Sequence, residues 1–513
     1  MRSVLVLFDS LNRLALECYG GSLIATPNFN RLAARGVTFD SHYVGSLPCM
    51  PARRDMHTGR LSFMHRSWGP LEPFDNSMPE LLKDAGVYTH LITDHFHYFE
   101  DGGATYHPRY STWEFVRGQE YDAWKAKVKP PLERYRRDYS DRNYNGPKQA
   151  NRLQHQVNRD FILKEEDFPA YQCFEKAFAF LDENRDADNW MLQLECFDPH
   201  EPFFAPKRFR DKVPTDYDGP ILDWPQYVAV TESPEEIAEV RANYAALVAM
   251  CDEYLGKLLD YFDEHDLWKD TSLILTTDHG FLLSEHDWWG KNVTPYYEEI
   301  AHIPLIMHHP DLADRQGTRV YALTQTPDLM PTMLDVFSQP IPPETTGLSL
   351  FERMAGRPGD REVIFGMFGG PIGVTDGDYS YFLYPPDLGD ESLREYTIMP
   401  THLKSLFGID ELRTATMHPP MDFTKGVPVF SIAALTSARR PPGEYRKAFT
   451  GFETALYDLR QDPEQQQPIR DQAVEARLRE AILGHLARHD ATETFMNWMG
   501  LAVEEAAPSF KRR

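Results

Sequence analysis

Four short apolar runs recur along the chain, and each breaks off into a polar cluster: VLVLF before Asp9, THLI before Asp94 and His95, WMLQLECF before Asp198 and His200, and SLILTT before Asp278 and His279. Runs of this length suit parallel strands buried on both faces. Between them, TPNFNRLAARG, SMPELLKDAG, AYQCFEKAFAFLDEN and PEEIAEVRANYAALVAMCDEYLGKLLDYFDEH carry apolar residues at helical spacing and end on Gly or polar stops. Alternating strands and helices predict a doubly wound α/β sheet. Such sheets bind ligands beyond the carboxyl ends of their strands. Asp9, His95, His200, Asp278 and His279 are therefore expected to converge, although far apart in sequence.

Two regions depart from this rhythm. Residues 100 to 168 are aromatic, charged and weakly periodic, and are expected to form a surface excursion that rims a pocket or serves a contact in a homo-oligomer. After the proline-rich SQPIPPETTG (338–347) come the strand-like EVIFGMFG, YSYFLYP and TALYDL, then the helical EQQQPIRDQAVEARLREAILGHLARH. This predicts a catalytic α/β domain over 1–360 and a C-terminal α+β subdomain over 361–513 with a small antiparallel sheet and a helix. Within it, 386 to 448 shows no clear period.

With 53 Lys and Arg against 78 Asp and Glu, the formal charge of −25 argues against any general affinity for nucleic acid or anionic membrane. The cysteines at 18, 49, 173, 196 and 251 lack CxxC spacing, so neither a disulfide framework nor a zinc cluster is expected. The apolar run before Asp9, VLVLF, is only five residues long, too short for a signal sequence, and no apolar run reaches membrane-spanning length. The expected location is cytoplasmic, which leaves the glycosylation-type NVT at 292–294 without consequence.

Cys49 lies in SLPCMPARRDMHTGR, residues 46–60. Pro51 suits a first helical turn and Gly59 a C-terminal cap, so PARRDMHTG reads as about two turns with Cys49 just before the amino end. Free N–H groups there attract anions. Arg53, a turn later, adds a cation whose fork suits sulfate or phosphate oxygens, and the same surroundings would lower a thiol pKa. Taken alone, the residue reads as a buried thiol or as a thiolate nucleophile.

The longer string narrows this. Cys-x-Pro-x-Arg, continued here as CMPARRDMHTGR, resembles the signature of the type I sulfatases of the alkaline phosphatase superfamily. VLFDSLNRLALECYG, TPNFNRLAARGVTF, FDPHEPF, TTDHGFLLSEHDWWGK and LYDLRQDPEQ extend the likeness over most of the chain. The resemblance implies an alkaline-phosphatase-like mixed sheet. It also implies oxidation of Cys49 to formylglycine by a formylglycine-generating enzyme, its aldehyde hydrate carrying two hydroxyls on one carbon.

It implies further that Asp9, Asp278, His279 and a hydroxyl of modified Cys49 hold one divalent ion, with Ser10 standing where the family commonly has a second acid. His279 stands where Asn is frequent, and one carboxylate fewer together with one imidazole more moves the preference from Ca2+ toward Mn2+ or a similar borderline ion. The same histidine is found in the similar phosphonate monoester hydrolases. Lys291 in WWGK matches a lysine on a substrate oxygen, and His200 a histidine near the leaving group. The family's Lys-x-His is absent from TDHFHYFEDGG; His95 is favoured over His97 as its histidine. Glu285, His286 and Asp287 read as a solvated loop, and Trp68, Trp288 and Trp289 as pocket walls or ordinary packing. The implied reaction is hydrolysis of a small-molecule sulfate ester by S–O cleavage, with Cys49, Arg53, His95, His200 and Lys291 as catalytic residues. Phosphonate monoester or phosphodiester hydrolysis, or ligand binding by an unmodified Cys49, are the alternatives.

Overall fold

A computed structural model describes residues 1–144, 149–356, 362–435 and 448–501. Its centre is a sheet of eight strands: β1 (Arg2–Phe8), β2 (Val37–Phe39), β3 (Tyr88–Thr93), β4 (Thr112–Phe115), β5 (Trp190–Cys196), β6 (Thr271–Thr276), β7 (Leu305–His308) and β8 (Arg319–Val320). They lie in the order β8-β2-β7-β6-β1-β5-β3-β4. β6, β1, β5, β3 and β4 run parallel, whereas β7 runs antiparallel to both β6 and β2.

The two faces of β1 explain its unbroken apolar run. Val4, Val6 and Phe8 pack into one core with Phe29, Phe174, Leu247 and Leu255, while Leu5 and Leu7 pack into another with Met56, Leu82 and Met330. The helix Pro234–Glu264, which covers the first face, begins on a capping box. Ser233 Oγ accepts from the Glu236 N–H at 3.3 Å, and the Glu236 carboxylate accepts from the Ser233 N–H at 2.8 Å.

The C-terminal part forms a four-stranded antiparallel sheet, Val363–Gly366, Ile372–Thr375, Tyr379–Leu383 and Ala455–Asp458, covered by the helix Gln472–Arg488. Ile372–Thr375 was not expected; its IGVT is too short to carry a period. This unit shares a core with Leu61, Phe63 and Met64. The expected domain boundary at 360/361 lies outside the described residues.

Both aperiodic regions are more ordered than their patterns suggest. Residues 394–433 build a three-stranded sheet, Arg394–Thr397, Thr416–His418 and Val429–Ala433, with the last strand central. The stretch from 100 to 168 is more than a surface excursion: it supplies edge strand β4 and a small core of Tyr135, Tyr139, Tyr144 and Val157 around Trp224. Among the described residues no helix is long and apolar enough to cross a membrane.

Candidate active site

The helix Cys49–Thr58 points its amino end at the carboxyl ends of β1, β5 and β6. Cys49 is its first helical residue, so the helix starts earlier than Pro51 implied, and Gly59 closes it at φ 64°, where a side chain would be strained. All ten of its residues are buried, Cys49 at 3 % and Arg53 at 0 % exposure.

A buried guanidinium needs acids, and Arg53 has three. Nε donates to Glu195 Oε1 at 2.7 Å, Nη1 to Asp278 Oδ2 at 2.7 Å and to the Cys49 carbonyl at 3.0 Å, and Nη2 to Asp9 Oδ2 at 2.8 Å. Its fork therefore joins three strand ends and is not turned toward a ligand as the sequence suggested. Glu195 was missed. Its signal was an acid inside the apolar WMLQLECF, which burial obliges to find a cation; Tyr98 Oη and Gln193 Nε2 also donate to it, at 3.0 and 2.9 Å.

Asp9, Cys49, Asp278 and His279 each bring one ligand atom into a buried group, all within 4.8 Å of one another. His279 Nδ1 bonds the Gly280 carbonyl at 3.0 Å, which fixes that nitrogen as the donor and leaves Nε2 as a lone pair 3.2 Å from Cys49 Sγ. Two carboxylates, an imidazole nitrogen and the side chain of residue 49, all buried and converging, make a mixed oxygen and nitrogen donor set that suits a divalent cation, so the residues fit a metal. Ser10 stands directly beside that group. Its Oγ donates to Asp9 Oδ1 at 2.8 Å and accepts from Lys291 Nζ at 2.9 Å, and its N–H donates to Asp278 Oδ1 at 3.0 Å.

The electrostatics overturn one expectation. Burial, then the charges of Asp9 and Asp278, holds the Cys49 thiol well above its ordinary pKa, outweighing the opposite pull of Lys291 and Arg53. Burial also opposes ionisation of Asp9, but Arg53, helped by His200 and Lys291, keeps it ionised far below the usual carboxylate range. Lys291, 2 % exposed, stays protonated: burial opposes its charge, while Cys49, Glu201 and Asp9 favour it.

Cys49, His200 and Lys291 reach a cavity of about 300 Å³, whose wall also includes Trp68, His97 and Lys404. Burial pushes His200 down to about 4, so it is neutral at pH 7 in the free protein. His95 and His97 face different ways. His95 is fully buried with Nε2 3.9 Å from Asp9 Oδ2 and no hydrogen bond at either ring nitrogen, whereas His97 lies in the cavity wall with Nδ1 2.6 Å from Glu100 Oε2. Burial holds both well below the usual imidazole range.

A second polar bridge was invisible in sequence. Gln119 Nε2 donates to Asp94 Oδ2 at 2.9 Å and to Asp198 Oδ2 at 2.8 Å, tying together the loops that carry His95 and His200. Glu201, bonded by the Tyr227 hydroxyl and 3.8 Å from Lys291, was also missed. Of the three tryptophans noted, only Trp68 lines the cavity; Trp289 is buried, with its indole N–H on Glu232. His286 stacks on Tyr297 with its Nε2 near Glu299, apart from the site.

Comparison with known proteins agrees with this arrangement. The family described as Sulfatase matches residues 3–339. The chain is 25% identical over 403 residues to an N-acetylglucosamine-6-O-sulfatase of Bacteroides thetaiotaomicron, covering 68% of this chain and 69% of that one. It is 25% identical over 382 residues to the multifunctional alkaline phosphatase superfamily protein PehA of Trinickia caryophylli, covering 66% and 73%. A phosphonate monoester hydrolase of Agrobacterium radiobacter shares the fold at a TM-score of 0.63 and 17% identity, over 95% of this chain and 96% of that one. With a family match spanning both strand-end aspartates, the cysteine helix and Lys291, this chain belongs to the sulfatase family of the alkaline phosphatase superfamily and is a sulfuric ester hydrolase.

Proposed function

We propose that the chain hydrolyses a small-molecule sulfate ester by S–O cleavage, using formylglycine formed from Cys49 by a formylglycine-generating enzyme. The observation that carries this reading is the position of Cys49: the first residue of a buried helix, its sulfur grouped with Asp9, Asp278 and His279 at a cavity that Lys291 and His200 also line. The raised thiol pKa supports a precursor over a thiolate nucleophile. An aldehyde hydrate at residue 49 would supply two hydroxyls on one carbon, one as the nucleophile toward sulfur and one whose proton loss would re-form the aldehyde and expel sulfate, with no second attack on a crowded anion. A divalent ion, Mn2+ or Ca2+, held by Asp9, Asp278, His279 and residue 49, supplies acidification of a hydroxyl and polarisation of a sulfate oxygen.

The chain's own groups do the rest. Lys291 offers a fixed positive charge to a sulfate oxygen, and Arg53 holds the carboxylates of Asp9 and Asp278 in place. His200 is neutral when the site is free; an arriving anion raises its proton affinity, so it takes up a proton that it passes to the leaving alkoxide. His95, against Asp9, fits the alternative position for this proton.

The same proposal takes 1–360 as the catalytic unit and 361–513 as the subdomain, supported by the separate eight- and four-stranded sheets. It places the protein in the cytoplasm, supported by Cys18, Cys173, Cys196 and Cys251 standing as free thiols. A second reading, phosphonate monoester hydrolysis, is favoured by the imidazole of His279 at 3.2 Å from Cys49 Sγ, where many sulfatases have an amide. Sulfate release and phosphonate turnover, measured on protein whose 46–60 peptide has been weighed by mass spectrometry, separate them. Formylglycine at 49 with dominant sulfate release is expected; brisk phosphonate cleavage with negligible sulfate release would replace the first reading by the second.

A further inference from the structure

Beyond the reacting centre, the cavity wall carries a charge that the reaction does not use. Lys404 comes from the loop that follows strand Arg394–Thr397, a region without detectable pattern in sequence. That loop is held firmly. Leu403 is fully buried against Met50, Leu71, Tyr98 and Tyr106, its N–H donates to the Trp68 carbonyl at 3.2 Å, and its carbonyl accepts from Gly102 at 2.8 Å. Met50 is the neighbour of Cys49 on the same helix, so the loop is registered directly against the reacting centre.

The ammonium is placed by two aromatic rings. Nζ lies 5.0 Å from the centre of the Trp68 ring and 5.3 Å from that of Tyr121, and it donates to the Tyr121 hydroxyl at 2.6 Å. Two acids of the wall have charged partners of their own: Glu201 lies by Lys291 and His200, and Glu395 by Arg66 and His402. Among the described residues no carboxylate lies within 4.0 Å of Lys404 Nζ. Its charge reaches inward, since after burial it is the foremost influence depressing the protonation of His97.

We propose that Lys404, held between Trp68 and Tyr121 in the cavity wall, is a specificity-determining cation that selects sulfate esters whose alcohol carries a second anionic group. This deepens the proposed function and rests on it. With Glu100 acting on it only from beyond ion-pair distance, this ammonium facing a cavity of about 300 Å³ gives a second carboxylate or sulfate a charge-assisted partner that a neutral alcohol forgoes. By the same charge it repels an alcohol bearing a quaternary ammonium, which the Trp68 and Tyr121 rings would otherwise welcome.

The test compares phenyl sulfate with its ring-carboxylated and ring-trimethylammonium analogues, read as ratios of kcat/KM within each protein so that differences in active fraction cancel. Wild type is expected to favour the carboxylated ester over the neutral one by roughly tenfold or more, the range of one charge-assisted hydrogen bond. Lys404→Met is expected to bring that ratio near unity, Lys404→Glu to favour the ammonium ester, and Lys404→Arg to retain the wild-type order. An unchanged ratio in Lys404→Met, or a wild type that prefers the ammonium ester, overturns the role of Lys404. Turnover of none of the three by wild type overturns the proposed function itself, a different signature from an unchanged ratio.

Discussion

Asp198 offers a test of the electrostatics behind the catalytic loops. Burial raises its carboxyl from 3.8 to about 7, and the Gln119 amide only partly offsets this. Asp94, on the same amide, is also lifted well above the usual carboxylate range, by burial and then by the charge of Asp198. A carboxyl whose folded pKa lies above its unfolded one binds its proton more tightly when folded. Stability is therefore complete below the unfolded value and falls as pH rises between about 4 and 7, with the full cost present above that window. A shift of roughly three units at about 1.4 kcal/mol each sets a ceiling near 4 kcal/mol, of which roughly 2 to 3 kcal/mol develops between about pH 5 and pH 8. Asp198→Asn removes the ionisation but keeps an oxygen able to accept from Gln119 Nε2, now at 2.8 Å. Urea unfolding of both proteins at the two pH values is expected to show the variant gaining on wild type by that amount as pH rises. A difference that stays flat with pH, or a variant that loses ground at the alkaline end, would refute the reasoning.

Other perturbations act on the centre itself. Cys49→Ala should lower sulfate ester turnover by roughly a thousandfold or more while leaving the circular dichroism spectrum unchanged, because it removes the nucleophile from a site whose strands remain intact. Arg53→Met should destabilise the fold by about 3 to 5 kcal/mol, since it leaves three buried carboxylates without their common cation, and a lowered thermal midpoint in the metal-free protein measures it. Chelation should reduce both turnover and thermal midpoint, with recovery on adding back Mn2+ or Ca2+; full turnover by protein with no detectable metal would contradict the reading of Asp9, Asp278 and His279 as ligands.

Strands buried on both faces were the most legible part of the chain, because β1, β5 and β6 need apolar residues at every position and so stand out without periodicity. Their polar ends marked Asp9, His200 and Asp278 for the same reason. Glu195 was hidden because its partner Arg53 is 142 residues away, and only the register of β5 beside β1 reveals the pairing. Gln119 was hidden because one amide in a polar loop carries no signal until two distant acids meet on it. The strands at 394–397, 416–418 and 429–433 are three to five residues long and partly exposed, too short and too mixed in burial for alternation to show. The expectation of an acidified Cys49 failed because it counted the cation of Arg53 but not the burial of the thiol or the nearby charges of Asp9 and Asp278, which outweigh it.

That arginine clamp also bears on how such a molecule can diversify. A guanidinium wedged among three strand termini welds the bottom of the active site to the central sheet, so a change there is felt by the whole fold. Room for innovation is left to the rim, where Lys404, Tyr121 and Trp68 are carried by loops outside the strands of that sheet. A chain built this way can acquire a new alcohol preference by redrawing its border while the chemistry beneath stays inherited.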